Sequence, residues 1–461
     1  MSTAANVTAR LTRSWPRSAR TSETFIAKVE AFFPIPIRYA IENVRPLGTT
    51  GLILCLLAGI ILRTIWPEVM EYRADEQSLF TKCINVGRTE PLPLTTGITD
   101  TRLGLDEPPL SLLMWVALAR VTGVKRPTDL ASATQWLNIG ALLLLAIFAW
   151  RWTRRDDREP WLWATALAAV NPFAILFQRK IWDPSILPAF LVLMVICWEK
   201  RERAGPAFCW GVLSLIVMQL YLPGFFLGAG FLLWALIFDR ARMNWRGWFA
   251  GSCLGGLGLL PWFYYLIFTF AKHPVVHTKW PRFFPIQFWI HWTTDPFGLG
   301  LEYSLGRNFP DFLRWPLVCG TATYLVGIAH VALLGLAATI LLRGAFRLRR
   351  HLRAGHSFSQ LLAAPQLQSV YAACFGYGGL LTLSCVGYYH HYQIFSFPFP
   401  FAWVAYLALG ASPGVVPAPA GRFLLVIVIV TELIVSACFW YYLRAHPQGV
   451  GGGFSQPTLP Q

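Results

Sequence analysis

Charge is what this sequence has least of. Asp, Glu, Lys and Arg make up 13% of its 461 residues, against about 25% in an ordinary soluble domain. Hydrophobic residues reach 55% and aromatics 15%, with a mean hydropathy of +0.48. So few charges argue against a large soluble core and for a chain that meets lipid over much of its surface.

Other absences narrow the reading. There is no CxxC, and Cys55, Cys197, Cys209, Cys253, Cys374 and Cys438 lie inside apolar runs, which disfavours a zinc site or a disulfide framework. No basic domain accounts for the net charge of +16. Lys and Arg stand in short clusters between apolar runs, as the positive-inside rule expects, so no nucleic-acid partner is expected. No cleavable signal peptide is visible. The N-terminal stretch stays polar and Arg-rich until the first apolar run, which is therefore expected to act as a signal anchor. The absence of an internal repeat weakens a transporter built from duplicated halves.

What is present is a succession of apolar runs. The first, "LGTTGLILCLLAGIILRTIWP", is long enough to cross a bilayer. Arg10, Arg13, Arg17, Arg20, Lys28, Arg38 and Arg45 place residues 1–47 in the cytoplasm, with "ETFIAKVEAFFPIPIRYAIENV" as an interfacial segment. The stretch "PPLSLLMWVALARVTG" (108–123) decides the topology. If it crossed, the basic clusters "RWTRRDDRE", "EKRER", "DRARMNWR" and "RGAFRLRRHLR" would all lie outside. As a half-buried helix on the outer surface it leaves every one of them in the cytoplasm, and it is short for a span. The expected fold is an all-α polytopic membrane protein of about eleven transmembrane helices, N-terminus inside and C-terminus outside. Residues 48–442 form one transmembrane domain with outer loops 67–131 and 271–315. The Gly/Pro-rich tail 443–461 reads as disordered.

The outer side of this plan collects the unusual residues: the first loop, the "QRKIWDP" turn, the "YLPG" turn, the second long loop and the "GYYHHYQ" turn. In the first loop, "DEQSLFTKCINVG" predicts a short helix. Asp75 is its N-cap, Leu79, Phe80, Cys83 and Ile84 form an apolar stripe, and Gly87 is its stop. On spacing alone Asp75 simply caps and Glu76 is solvated.

The segment "EYRADEQSLF", the connection "GRTEPLPLTTGITDTRLG" and the following "EPPLSLLMWVAL" together resemble the start of GT-C superfamily membrane glycosyltransferases. Within these, the chain is similar to bacterial relatives of dolichyl-phosphate-mannose protein mannosyltransferases and lipid A aminoarabinose transferases. The resemblance covers residues 48 to about 200, and beyond that rests on topology and loop placement. It implies transfer of a sugar from a polyprenyl-phosphate donor to a protein, glycan or lipid acceptor, at the outer face of a bacterial cytoplasmic membrane. It implies Asp75 as the general base that deprotonates the acceptor hydroxyl, with Glu76 orienting it or contacting the acceptor.

For the donor phosphate the expected cations are Arg179 and Lys180, although interfacial Arg and Lys also snorkel to water without further role. Asp183 falls where relatives carry another functional acid, and can equally pair with Arg179. His390 and His391 can donate to phosphate or, with a carboxylate, hold a divalent metal; neighbouring His side chains on a helix point apart, and an aromatic-belt reading fits them as well. No cofactor is fixed by these residues, which are compatible with a divalent metal. Arg102, Asp106, Glu107 and Asp295 are expected to support the site or the acceptor. Aromatics of the second loop, among them Trp280, Phe283, Phe284, Trp289 and Trp292, either lid the site or bury against the bilayer surface.

One departure stands out. Relatives often place His or Lys directly before Pro-Pro-Leu, and here the residue is Glu107. Phosphate binding then falls to other cations, or the donor differs. The chain also ends after its last span without the soluble outer domain that many relatives carry, so acceptor recognition is expected to rest on the loops. A transporter or flippase of lipid-linked sugars is the rival reading. It would need polar groups at mid-membrane depth, and Asn171, Gln219 and Glu432 are the candidates, none paired by spacing. A non-catalytic membrane scaffold is the third.

Overall fold

The computed structural model describes residues 46–97, 99–100, 105–268, 286–355, 357–410, 418–446 and 450. The expected interfacial segment, Arg102, Trp280, Phe283, Phe284 and the tail from 451 lie outside them.

Long Leu-, Ala- and Phe-rich runs become helices because a helix satisfies each backbone amide and carbonyl within its own segment, wherever water is scarce. Among the described residues, strand is confined to two antiparallel pairs of two residues each, Thr99–Asp100 with Leu105–Asp106 and Leu317–Val318 with Thr321–Ala322. The all-α expectation holds. Among the described residues, four helical stretches are long and apolar enough to cross a membrane: Pro127–Trp152, Trp245–Phe268, Leu325–Arg353 and Pro419–Ala445. A fifth candidate, His390–Ser396 with Phe399–Leu409, is bent by 71°. The chain is a helical membrane protein.

The first apolar run forms α1 (Thr49–Thr64). Its Ile53, Leu54, Leu57 and Ile61 are exposed along one face, a stripe that water would disfavour and lipid would not. The opposite face packs on α5 (Arg155–Val170). Gly59 makes this approach possible, since a Cβ there would stand 2.5 Å from the Ala169 carbonyl oxygen.

Two buried arginines lock the junction. Arg63 donates to the carbonyls of Ala168 and Ala169 at 3.0 and 2.7 Å, and to Gln178 Oε1 at 2.7 Å. Arg179 returns the favour at the end of α1 and the loop after it, donating to the carbonyls of Leu62, Trp66 and Val69 at 2.8, 2.8 and 3.2 Å. Carbonyls at helix ends lack an intrahelical partner, so each guanidinium caps the other element's terminus.

Beyond α1 the chain forms α2 (Ala74–Asn85) and α3 (Leu110–Thr122), which pack on each other. Arg120 at the end of α3 donates to the Val86 carbonyl at 2.6 Å. The next helix is α4 (Pro127–Ile147). After α5, the short α6 (Pro172–Phe177) begins at Asn171, whose side chain caps it. Next come α7 (Leu187–Glu199), α8 (Ala204–Leu220) and α9 (Gly224–Phe238), then α10 (Trp245–Gly256) continuing into α11 (Leu260–Phe268). α8 and α10 touch backbone to backbone: a Cβ on Gly251 would lie 2.0 Å from the Phe208 carbonyl oxygen.

At one end of the bundle, loop 65–109 meets the turns 178–186, 221–223 and 384–393 and the segment 286–315, which includes α12 (Gln287–Thr294). Four of the basic clusters seen in the sequence flank or cap helix termini elsewhere. One tie among them joins three connections: Arg201 pairs with Asp239 at 2.5 Å and donates to Gln368 at 2.5 Å. The remaining long helices are α13 (Leu325–Arg353), α14 (Phe399–Leu409) and α15 (Pro419–Ala445).

Candidate functional site

Two polar clusters are buried at the end of the bundle where these loops meet. The first is built on α2. Its helix begins at Ala74, one residue before the expected start, and its N-cap is Arg73 in extended conformation. Asp75 is therefore not the N-cap. Glu76, at the third helical position, has the reach to accept from the Arg73 backbone N–H at 2.9 Å, the back-bond that a long acid makes at this position. Asp75 points to solvent while Glu76 is buried. The expected stripe of Leu79, Phe80, Cys83 and Ile84 does turn inward, and the helix stops before Gly87 with φ of 71°.

Beside Glu76 lies Glu71, buried in the loop between α1 and α2. It pairs with Arg73 Nε at 2.9 Å through one oxygen and closely with Lys180 Nζ through the other. Lys180 is itself buried, over the rings of Phe177 and Trp182 at 4.8 and 5.4 Å. Burial pushes the Glu76 carboxyl above its usual range; Lys180 opposes that shift and Glu71 adds to it. Glu76 thus faces Lys180 and the Arg73 backbone rather than orienting Asp75.

Arg179 and Lys180 part company. The Arg179 guanidinium is committed to the Leu62 carbonyl in the last turn of α1 and to the Trp66 and Val69 carbonyls of the loop that follows, and lies 3.7 Å from the Trp440 ring. It is a structural tie here, not a side chain reaching towards a head group, because these backbone carbonyls meet it first. Lys180 alone of the pair turns into the acidic cluster.

Asp183 does not pair with Arg179. It accepts from Trp115 Nε1 at 3.1 Å and closely from Ser111 Oγ, which pins α3 to this turn. Burial lifts its carboxyl to about 6, against the opposing pull of both hydrogen bonds. Its folded value therefore exceeds the unfolded one of about 3.9. The stabilisation linked to the proton is complete below pH ~4 and is lost as pH rises through about 6. Infrared titration should show a protonated carboxyl band fading near pH 6, absent in Asp183→Asn. A band that survives the substitution would assign the titration elsewhere.

Of the other expected supporting residues, Asp106 accepts from Tyr265 at 2.6 Å and Trp262 at 2.7 Å, tying the loop to α11. Glu107 is buried, and its carbonyl accepts from Thr96 N at 3.0 Å.

The second cluster lies across the 384–393 turn. Neighbouring His390 and His391 point apart, as expected, and so serve different partners. His391 meets the Tyr221 hydroxyl at 2.7 Å and the Trp182 ring edge-on at 4.4 Å. Burial, with Lys180 and His390 nearby, holds its basicity well below normal, so it is neutral. His390 reaches Asp295 Oδ2 at 2.9 Å, and His291 reaches Asp295 Oδ1 at 3.3 Å. Burial alone would raise Asp295, but the two imidazoles hold it below the usual carboxylate range. A cavity of about 30 Å³ opens beside Asp295, lined mainly by apolar atoms including Phe173, Phe177 and Ile394. It has room for one or two waters.

Trp289 and Trp292 were expected at a lid or the bilayer surface. Trp292 is instead fully buried against Phe288 and Trp403, and Trp289 donates to Thr382 at 3.1 Å. Asn171 and Glu432 turn out to be paired after all. Asn171 Nδ2 donates to Glu432 Oε1 at 2.7 Å and to the Asp295 carbonyl at 2.9 Å.

No protein-family model matches this sequence, and neither a curated protein nor a solved structure does. The geometry above is therefore the ground for any functional reading. Glu71, Tyr221 and His291 are the residues that sequence reasoning missed as site members. Glu71 meets Lys180, 109 residues on, and Tyr221 meets His391, 170 residues on, pairings that no local spacing announces. The four-residue spacing of His291 and Asp295 on one helix end, by contrast, was a local signal that could have found His291.

Proposed function

We propose that this chain is a membrane glycosyltransferase of GT-C type that moves a sugar from a polyprenyl-phosphate donor to an acceptor at the outer face of a bacterial cytoplasmic membrane. One observation carries the reading: four separate connections contribute Glu71, Glu76, Lys180, Tyr221 and His391 to one end of an otherwise apolar bundle. Buried cations, neutral donors and carboxylates gathered at a helix-bundle end suit chemistry on a lipid head group, and are costly to keep there otherwise.

In this reading Asp75, exposed on the first turn of α2, takes the proton from the acceptor hydroxyl. Lys180 exchanges part of its pairing with Glu71 for the donor phosphate, and Tyr221 with neutral His391 offers further hydrogen bonds. Glu76 fixes the start of α2, so that Asp75 is held at a constant place.

About eleven crossings follow if α1, α4, α5 with α6, α7, α8, α9, α10 with α11, α13, the helical stretch 368–383, α14 and α15 each run from one end of the bundle to the other. Contacts of the site with the ends of α1, α6 and α8 and the starts of α7 and α9 are in keeping with that alternation. The ties of α3 at both Ser111 and Arg120 to loop elements support its lying at the surface.

The test is incubation of purified protein with a panel of polyprenyl-phosphate sugars and an acceptor extract, following release of polyprenyl phosphate. Release on at least one donor is expected; none on any donor would end the transferase reading. Transport remains the second reading because of the Asn171–Glu432 pair inside the apolar bundle. Vesicles that move a lipid-linked sugar between leaflets without releasing polyprenyl phosphate, and lose this in Glu432→Gln, would favour it.

A further inference from the structure

His291, Asp295 and His390 each bring one ligand atom within 4.8 Å of the other two. The three come from different places: His291 from α12, Asp295 from the turn that ends it, and His390 from 95 residues further on. All three side chains are held from outside. Phe173 stacks on His390 at 4.6 Å, Tyr303 meets it edge-on at 5.0 Å, and Tyr388 stacks on His291 at 5.6 Å. Gly300 closes the wall: a Cβ there would stand 2.8 Å from His390 and 2.9 Å from Asp295.

Hydrogen bonding alone leaves this group unfinished. His390 Nδ1 is buried with no hydrogen-bond partner among the described residues. The two imidazole rings face each other with centroids 3.8 Å apart and planes 25° apart, so both rings and the Asp295 carboxylate converge on one small volume, and two imidazoles with a carboxylate are a set of electron-pair donors.

His390 Nε2 and His291 Nδ1 stand 2.9 and 3.3 Å from the two different oxygens of the Asp295 carboxylate. Ligand atoms around a tetrahedral ion with bonds of about 2.0–2.2 Å lie roughly 3.3–3.6 Å apart, so the ion would replace the shorter hydrogen bond with a small opening of that pair. Two imidazoles with one carboxylate suit zinc and its neighbours, whereas calcium and magnesium ask for more oxygens. His291 keeps a quarter of its side chain exposed, at 25%, which gives an ion a way in.

We propose that His291, Asp295 and His390 bind one divalent transition-metal ion of the zinc class. Three protein ligands leave a fourth position open. Resting on the transferase reading, that position would take an oxygen of the donor's phosphate, complementing Lys180 on the other side of the 384–393 turn. This would also answer the loss of a cation where Glu107 precedes Pro-Pro-Leu.

The full chain, purified in detergent and stripped with a chelator, is dialysed against zinc or cobalt and assayed for bound metal with no donor lipid present. About one ion per chain is expected, with the visible absorption of tetrahedral cobalt. His291→Ala and His390→Ala should each lose at least tenfold of the affinity, while His446→Ala, outside the cluster, keeps it. Wild-type protein that retains no ion, or binding that persists in both His291→Ala and His390→Ala, overturns the proposal. Because metal content is read without substrate, a failed metal site leaves the transferase reading standing, and absent turnover leaves the metal site standing.

Discussion

Lys180→Met is expected to be the most damaging single substitution in the site, destabilising the protein by roughly 3–5 kcal/mol. Lys180 and Glu71 are each about 5% exposed and pair closely. Removing the ammonium leaves the buried Glu71 carboxylate with the half-exposed Arg73 as its counter-charge, in a region where Glu76 is already buried, and that poorly compensated charge carries most of the cost. Adding Glu71→Gln removes the stranded charge, so the double variant should recover most of the lost stability. What remains is the broken contact of Arg73, which is half-exposed and worth under about 1 kcal/mol. Thermal unfolding in detergent reads both effects. Polyprenyl phosphate release separates structure from function: the double variant is expected to be folded and still inactive. A stable double variant with full turnover would remove Lys180 from phosphate binding, and a single variant as stable as wild type would refute the buried pair.

Asp75→Asn is expected to lower turnover by about 10²–10⁴ while costing under about 1 kcal/mol of stability. The two figures differ because Asp75 is exposed on the first turn of α2, where its only structural service is to the helix dipole. Glu76, buried and bonded to the Arg73 backbone, should behave in the opposite way. Glu76→Gln keeps an acceptor for that N–H, so it should retain much of the fold and lose activity only through the placing of α2. Kinetics of release from the polyprenyl-phosphate donor, with unfolding measured on the same samples, reads both. Full turnover by Asp75→Asn would transfer the base to another group.

Much of the fold was legible in the chain because apolar run length is a direct response to the surroundings. The first apolar run is the helix Thr49–Thr64. The stretch 108–123, expected as a helix, is helical over Leu110–Thr122. The polar end of the bundle was foreshadowed too, since the "QRKIWDP", "YLPG" and "GYYHHYQ" turns do meet there. What was not legible is the partnering inside it. Adjacent Arg179 and Lys180 look equivalent in sequence, yet one caps a helix and the other enters an acidic cluster. Their side chains leave a turn in different directions, and only the neighbours decide which finds what.

By itself, the sequence determined that this protein is helical and built for lipid, because too few charges and long apolar runs admit little else. It also determined where a short helix would carry Asp75 and Glu76. The tertiary structure alone decided that Asp75 faces water and Glu76 faces Lys180. It alone joined His291 and His390 on one carboxylate, and gave Glu432 a partner in Asn171. The reason is range. Helix formation and apolar burial are set within a few residues of chain, whereas these polar contacts are made by helix ends that packing brings together from distant segments.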